Sequence, residues 1–128
     1  MAVHTVQSPY GAAQWQAQFD AATEDGAIVE CPATGGAVGW TGAASWNAPP
    51  NAILRGAGTT ATGGGDQTII SDNYSSTAAL LQLTAASTGT LRITGISVQT
   101  GTASASDKSA VVKIFSSGGQ VIIDHCHF

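Results

Sequence analysis

The residues best suited to chemistry stand together in the stretch VIIDHCHF at residues 121–128. Side chains of a β-strand alternate between two faces, so His125 and His127 are expected on one face and Asp124 and Cys126 on the other. Two histidines on one face could hold a transition metal if a neighbouring strand supplied a third ligand. A metal site and a purely structural strand are therefore both open interpretations of this stretch.

Three tryptophans form a second set of candidates, because an aromatic ring offers a flat apolar face to a sugar ring. Trp15 falls on the apolar face of a predicted helix, which favours a place in the core. Trp40 and Trp46 lie in a segment rich in Gly and Ala. We predict that these two tryptophans bind the substrate, a carbohydrate.

Motifs of other site classes are missing from the sequence. The glycines of residues 63–65 are followed by no Lys-Ser or Lys-Thr pair, so the phosphate-binding loop of nucleotide-binding proteins is absent. Neither Cys31 nor Cys126 belongs to a CxxC pair, and no Gly-x-Ser-x-Gly elbow occurs. The two cysteines are far apart in the chain, and we predict free thiols.

Composition excludes several classes of partner. Charged residues make up only 9% of the 128 residues, and the net charge is −4 with four scattered Lys and Arg residues. No basic patch for nucleic acid or an anionic membrane can be built from them. No apolar run approaches the roughly twenty residues of a membrane span. The N-terminus lacks the pattern of a secretory signal. We expect an extracellular or virion-surface location on the basis of the predicted fold described below.

One segment shows the period of a helix. Ala12, Trp15, Phe19 and Ala22 recur at the spacing that places them on one helical face, which predicts a helix over about residues 11–24. Short apolar runs bounded by Gly, Pro, Ser and Asn predict about ten strands after it. We predict strands at residues 28–32, 38–41, 44–46, 52–55, 68–72, 79–84, 91–98, 111–115 and 121–128, after an extended start at residues 2–10.

Two strands repeat each other at an offset of thirty residues. Residues 91–98 and residues 121–128 match in side-chain character position by position, and residues 52–56 form a shorter third copy. In this alignment His125 stands at a corner where the other copies have glycine. A recurring strand with side chains retained at each position predicts a coiled, repetitive β architecture rather than a sandwich or barrel.

The helix has a natural place in such a solenoid, because the first coil must be capped to protect its core and its strand edges. We predict an all-β solenoid forming one domain over residues 1–128. Residues 1–26 hold the N-terminal strand and the capping helix, and residues 27–128 hold the coils. We expect the C-terminus to be truncated, because the chain ends on Phe128 in mid-coil.

Three stretches carry a resemblance to the pectate-lyase-like superfamily. Residues 25–33, DGAIVECPA, follow the helix as the first strand follows the cap in those proteins. Residues 53–60, ILRGAGTT, followed by residues 68–70, resemble the coil pattern L-x-G-x-G-x-x-x-T-x-I. Residues 122–126, IIDHC, resemble the W-I-D-H-C segment of pectate lyases with isoleucine in place of tryptophan. The resemblance implies a right-handed parallel β-helix with an N-terminal capping helix.

The same resemblance implies calcium, because pectate lyases hold Ca²⁺ with acidic side chains on the outside of a parallel sheet. Asp124 is the one acid that matches a motif of the family, and it is our candidate metal ligand. Asp72, Asp66 and Asp107 are further acids without a matching motif. The strand arginines match no catalytic arginine, so no catalytic residue and no cofactor beyond the implied calcium is assigned.

The function implied is that of the N-terminal coils of a β-helix protein that binds or processes polysaccharide, without a complete catalytic site. The alternatives are a structural or adhesive surface module of the tailspike or adhesin type, and a polysaccharide lyase. Scattered threonine pairs do not form the flat ranks that ice binding requires. Self-association through the edge of the last coil is a further expectation.

Overall fold

A computed structural model describes residues 2–58, 67–102 and 110–128. This part of the chain forms one helix near the N-terminus and eleven short strands. The helix it contains is too short and too polar to cross a membrane. The elements are β1 (Val3–Thr5), α1 (Ala12–Ala21), β2 (Ile28–Glu30), β3 (Ala37–Trp40), β4 (Ala44–Asn47), β5 (Ile53–Arg55), β6 (Ile69–Asp72), β7 (Leu81–Ala85), β8 (Thr90–Thr94), β9 (Ser97–Thr100), β10 (Val112–Ser116) and β11 (Gln120–Asp124).

The helix is confirmed, and its ends are defined by local hydrogen bonds. Gly11 is the N-cap, and its backbone N–H donates to Oε1 of Gln14 at 2.9 Å. At the other end the N–H of Ala22 donates to the carbonyl of Gln18 at 2.9 Å. The helix is therefore shorter than the predicted span of residues 11–24, and the glycine expected to close it, Gly26, lies in the following loop with φ 74°.

The strands form three parallel sheets. Sheet A has the order β1-β2-β5-β8-β11, sheet B the order β3-β6-β9, and sheet C the order β4-β7-β10. From β2 onward the chain visits sheets A, B and C in turn and then returns to sheet A, so each strand pairs with the third strand after it. The protein is thus mainly β, with parallel sheets and one N-terminal helix, and the arrangement is consistent with a parallel solenoid.

The thirty-residue repeat is confirmed in the pairing of β8 with β11. Val121 lies opposite Leu91 and Ile123 opposite Ile93. The shorter copy follows the same register, because Leu54 of β5 lies opposite Ile93. The similarity of these stretches therefore reflects stacked positions in one sheet.

The prediction of one continuous strand over residues 91–98, and of another over residues 121–128, is wrong, because the chain bends within both segments. Gly95 separates β8 from β9 and has φ 74°, and His125 follows β11 with φ 52°. Both values lie in the left-handed region, which turns the chain out of the strand. Residues 97–100 consequently belong to sheet B, whereas residues 91–94 belong to sheet A.

The core lies between the three sheets and under the helix. Alternate side chains of each strand point inward, so that sheet A contributes Leu54 and Ile93, sheet B contributes Ile70, and sheet C contributes Leu81 and Leu83. All five are buried. The outward positions between them carry mostly polar side chains, together with exposed apolar ones such as Phe115 and Ile122.

Candidate functional site

Trp40 and Trp46 lie in the core, on β3 and β4, with 1% and 2% of their surface exposed. The indole N–H of Trp40 donates to the carbonyl of Tyr10, and that of Trp46 donates to the carbonyl of Ala22, both at 3.1 Å. A ring that is buried and hydrogen-bonded in this way has no open face for a sugar. The predicted substrate-binding role of these two tryptophans does not fit their positions.

The reason for their burial is the capping helix. Trp15 packs edge-on against Trp40 with ring centroids 5.6 Å apart, and Phe19 stacks on Trp46 with centroids 5.3 Å apart and planes at 7°. Aromatic pairs in such arrangements stabilise beyond the area that they bury. The two tryptophans that sequence reasoning assigned to a ligand are instead the surface on which α1 rests.

Asp124 ends β11 on the outer face of sheet A, where Arg92 of β8 binds it. The guanidinium donates from Nη2 to Oδ2 at 2.7 Å and from Nε to Oδ1 at 3.4 Å. Hydrogen bonds from Arg92 and then from Thr94 lower the pKa of the Asp124 carboxyl. A similar pair joins Glu30 and Arg55 on the same face at 2.9 Å. The charges on this face are therefore matched to one another.

The implied calcium does not fit these residues. Ca²⁺ takes six to eight oxygen ligands, whereas both oxygens of Asp124 already accept hydrogen bonds from Arg92. Within the described residues no group of three His, Cys, Asp or Glu side chains is placed to hold a metal ion. Asp66 and Asp107 lie outside the described residues.

The two histidines are not arranged as a strand pair. His125 adopts φ 52°, and its Nδ1 lies 3.8 Å from Oδ2 of Asp124. His127 forms a single parallel bridge with Ser97 of sheet B. The backbone turn at His125 removes the simple alternation on which the proposed metal pair depended. The alternative interpretation, in which His125 occupies a corner of the coil equivalent to that of Gly95, agrees with this turn.

The thiols also lack the features of a reactive site. Both cysteines are free. Cys31 is buried, and burial raises the pKa of its thiol to about 12. Burial also raises the pKa of Cys126, which is half-buried. Burial therefore disfavours the thiolate form of both groups, so nucleophilic chemistry at cysteine has no support.

A different surface combines the properties of a binding site, and we call it the sheet C face. It consists of two rows of outward side chains on β4, β7 and β10. The first row joins Ser45, Gln82 and Lys113, which are register partners in adjacent strands, and the second row joins Asn47, Thr84 and Phe115 in the same way. Phe115 is 48% exposed.

The position of this face follows from the alternation of the strands. In β10, Val112 and Ile114 turn toward the core, which places Lys113 and Phe115 outside. On the other side Gln16 of α1 exchanges two hydrogen bonds with the backbone of Ser45, at 2.9 and 3.0 Å, and so covers the edge of β4. The helix therefore bounds the sheet C face at one margin.

The sequence predicted the strand that contains Phe115 but not the exposure of its outward side. The sequence contained a signal for this exposure, because an aromatic side chain at an outward position of an alternating strand cannot reach the core. The missing information was which strands are neighbours. Comparison with models of protein families, with curated proteins and with solved structures finds no match to this chain.

Proposed function

We propose that this chain forms the N-terminal coils of a right-handed parallel β-helix of the pectate-lyase-like kind and binds an extended acidic polysaccharide on the sheet C face. The cyclic order of the three parallel sheets, the capping helix at the first coil and the thirty-residue register support the fold. The exposed Phe115 beside neutral hydrogen-bonding side chains is the observation that carries the binding role.

The chemistry of the face matches a glycan better than other ligands. Amide and hydroxyl groups of Asn47, Gln82 and Thr84 can both donate and accept, as sugar hydroxyls do. The ring of Phe115 can pack against the C–H groups of a pyranose. Lys113 supplies a positive charge for the carboxylate of a uronic acid. The proposal is therefore an acidic polysaccharide rather than a neutral one.

The spacing of the strands favours a glycan chain that runs across the strands. Neighbouring strands lie about 4.8 Å apart, so a chain running across the strands would meet a new side chain at regular short intervals. Each of the two rows on the face offers three such positions. By contrast, the charged groups on the outer face of sheet A are engaged with one another, which makes that face a weaker candidate.

The residues support binding of the glycan without its cleavage. The acid that the family resemblance offers for calcium, Asp124, is bound to Arg92. Arg92 is held in the same pair, so it does not serve as a base. No catalytic step is assigned to this chain.

The test is affinity electrophoresis through gels containing polygalacturonate, compared with gels containing a neutral glucan. We expect retardation only by the acidic polymer, and at least a tenfold weaker effect for Phe115→Ala and for Gln82→Ala. Ile122→Ala is the matched control, because Ile122 is also exposed and lies on the outer face of sheet A. Unchanged mobility of the wild-type chain in every gel would contradict the proposal and leave a scaffold role.

The lyase alternative needs its own measurement. The wild-type chain is incubated with polygalacturonate and calcium, and the ultraviolet absorbance of the unsaturated product is followed. We expect no increase. A steady increase that is lost in Asp124→Asn would replace the binding proposal with an enzymatic one.

A further inference from the structure

The two margins of the sheet C face carry opposite charges. At the β10 margin lies Lys113, which is the only Lys or Arg on sheets B and C within the described residues. At the other margin, next to β4, the helix α1 carries Asp20. The outward positions of β7 and β4 between them are neutral. A ligand that runs across the strands from β10 therefore meets a cation first and an anion last.

The position of Asp20 is fixed by the side chain of Gln16. The amide Nε2 of Gln16 donates to Oδ1 of Asp20 at 2.9 Å and to the backbone carbonyl of Ser45 at 3.0 Å. Oε1 of the same amide accepts the N–H of Ser45 at 2.9 Å. One side chain thus ties the carboxylate of Asp20 to the edge of β4. Asp20 is exposed, and no Lys, Arg or His in the described part of the chain forms an ion pair with it.

The distance between the two margins separates their electrostatic effects. β4 and β10 are the outer strands of sheet C with β7 between them, so they lie about 9.6 Å apart at about 4.8 Å per strand spacing. Exposed charges separated by more than about 8 Å are largely screened from each other at physiological ionic strength. Lys113 therefore does not neutralise Asp20, and each charge acts on the part of a ligand that lies nearest to it.

We infer that the glycan is a mixed polysaccharide, which places an acidic sugar over β10 and neutral sugars over β7 and β4. This assignment rests on the proposed function of the sheet C face. Lys113 binds the carboxylate of the acidic sugar, and the amide and hydroxyl groups of β7 and β4 bond the hydroxyls of the neutral sugars. Asp20 determines the specificity, because it repels a second carboxylate near β4.

A polymer of uronic acid alone matches this face less well. Each of its sugars carries a carboxylate, so a segment that binds Lys113 brings further carboxylates over β7 and β4. Neither of those strands contains a Lys or Arg, and the charge nearest to β4 is the carboxylate of Asp20. Interactions between exposed charges are weak. The uronic acid polymer should therefore bind, but about threefold more weakly than a glycan with a single carboxylate at the β10 position.

The test uses trisaccharides that differ only in charge, because three sugars span the three strands of the face. Trigalacturonate is prepared with three free carboxyl groups, with one free carboxyl at either end and two methyl esters, and with three methyl esters. Calorimetric titration gives a dissociation constant for each. For the wild-type chain we expect one of the two single-acid trimers to bind about threefold more tightly than the triple acid. The triple ester should bind at least tenfold more weakly than that trimer, because it offers Lys113 no carboxylate.

Two matched variants separate the effect of Asp20 from that of net charge. Asp20→Asn should abolish the preference, so that the single-acid and triple-acid trimers bind equally. Asparagine keeps an oxygen that can accept the hydrogen bond of Gln16, and circular dichroism verifies the fold. Asp25→Asn makes the same change in net charge at an exposed residue in the loop that leads from α1 to sheet A. This control should keep the threefold preference.

The outcomes distinguish this inference from the proposed function. A wild-type chain that is retarded by polygalacturonate but binds the triple acid at least as tightly as both single acids, or binds no trimer, would overturn the inference and leave the binding role intact. Equal effects of Asp20→Asn and Asp25→Asn would overturn it as well. A wild-type chain that binds no trimer and is not retarded by polygalacturonate would overturn the proposed function, and the inference with it.

Discussion

The two ends of the molecule expose very different amounts of apolar surface. At the first end α1 covers the core, and Trp15 and Phe19 are almost completely buried. At the last end Ile123 and Phe128 are about half exposed. The interior between them is continuous, because each sheet stacks inward side chains strand by strand. The difference between the ends is therefore the presence or absence of a covering element.

This difference indicates what a coil of stacked strands cannot do alone. Stacking satisfies backbone groups along the axis and buries side chains between sheets, but it always leaves a last edge and a last apolar layer. At the first end the helix supplies both an apolar face and the Gln16 side chain that bonds β4. Among the described residues no such element lies over β9, β10 and β11.

The largest difference in stability is expected when one phenylalanine at each end is replaced by alanine. Phe19→Ala should lower the free energy of unfolding by about 3–5 kcal/mol, because it removes a buried ring and leaves a cavity. Phe128→Ala should lower it by less than about 1 kcal/mol, because Phe128 is 58% exposed. Urea unfolding followed by circular dichroism measures both changes.

The matched residue type makes this pair a direct test of the comparison. Phe19 is 2% exposed and stacks on Trp46, whereas Phe128 is mostly in solvent. Equal losses of stability for the two variants would show that the open end is packed as well as the capped one, and the contrast between the ends would be wrong.

A smaller effect is expected from the hydrogen bonds within the cap. Trp46→Phe keeps a ring in place but removes the N–H that donates to the Ala22 carbonyl. Leaving that carbonyl without its partner should cost about 1–2 kcal/mol. Trp15→Phe is the control, because Nε1 of Trp15 is buried without a hydrogen-bond partner in the described part of the chain.

Both tryptophan variants lose a similar volume, so the difference between their unfolding free energies isolates the hydrogen bond. We expect Trp46→Phe to be the more destabilised variant. If Trp15→Phe were destabilised equally or more, the cap would be held by ring packing alone.

The sequence predicted much of this architecture because its signals are local. The helical period of Trp15 and Phe19 and the alternation within each strand depend on neighbouring residues, and the thirty-residue match of 91–98 with 121–128 required only an alignment. The bend inside each copy was harder to predict. Gly95 adopts φ 74°, and a Cβ added there would lie 3.0 Å from the backbone oxygen of Gly56. His125 adopts a similar φ of 52° although it is not glycine.

The candidate site was harder still, because it depends on which strands become neighbours. Trp40 and Trp46 stand in a segment of small residues that looks like a loop, and only the docking of α1 shows that they belong to the core. Gln82 and Phe115 are separated by more than thirty residues and meet only because β7 and β10 pair. The sequence alone does not show which strands pair, so it does not show which side chains meet at the candidate site.

The smallest expected effects come from one ion pair at each end, and they depend on pH. His4 holds the Glu24 carboxyl at 2.8 Å near the capped end, and Arg92 holds the Asp124 carboxyl at 2.7 Å near the open end. Hydrogen bonds from these partners lower the pKa of both carboxyls. A carboxyl whose pKa is lower in the folded chain stabilises the fold above its unfolded pKa, and this contribution is lost as the pH falls through the folded pKa.

The wild-type melting temperature should therefore decrease between about pH 5 and pH 3, where carboxyls titrate. Asp124→Asn should reduce this slope more than Glu24→Gln, because the guanidinium of Arg92 contacts both carboxylate oxygens of Asp124, whereas the ring of His4 contacts one oxygen of Glu24. The two variants and the wild type should converge at the acid end of the titration. Both pairs are at the surface, so each difference in melting temperature should be small. Identical slopes for Asp124→Asn and the wild type would show that the Arg92 pair adds nothing to the stability of the open end, and that the strand edge there is held by backbone pairing alone.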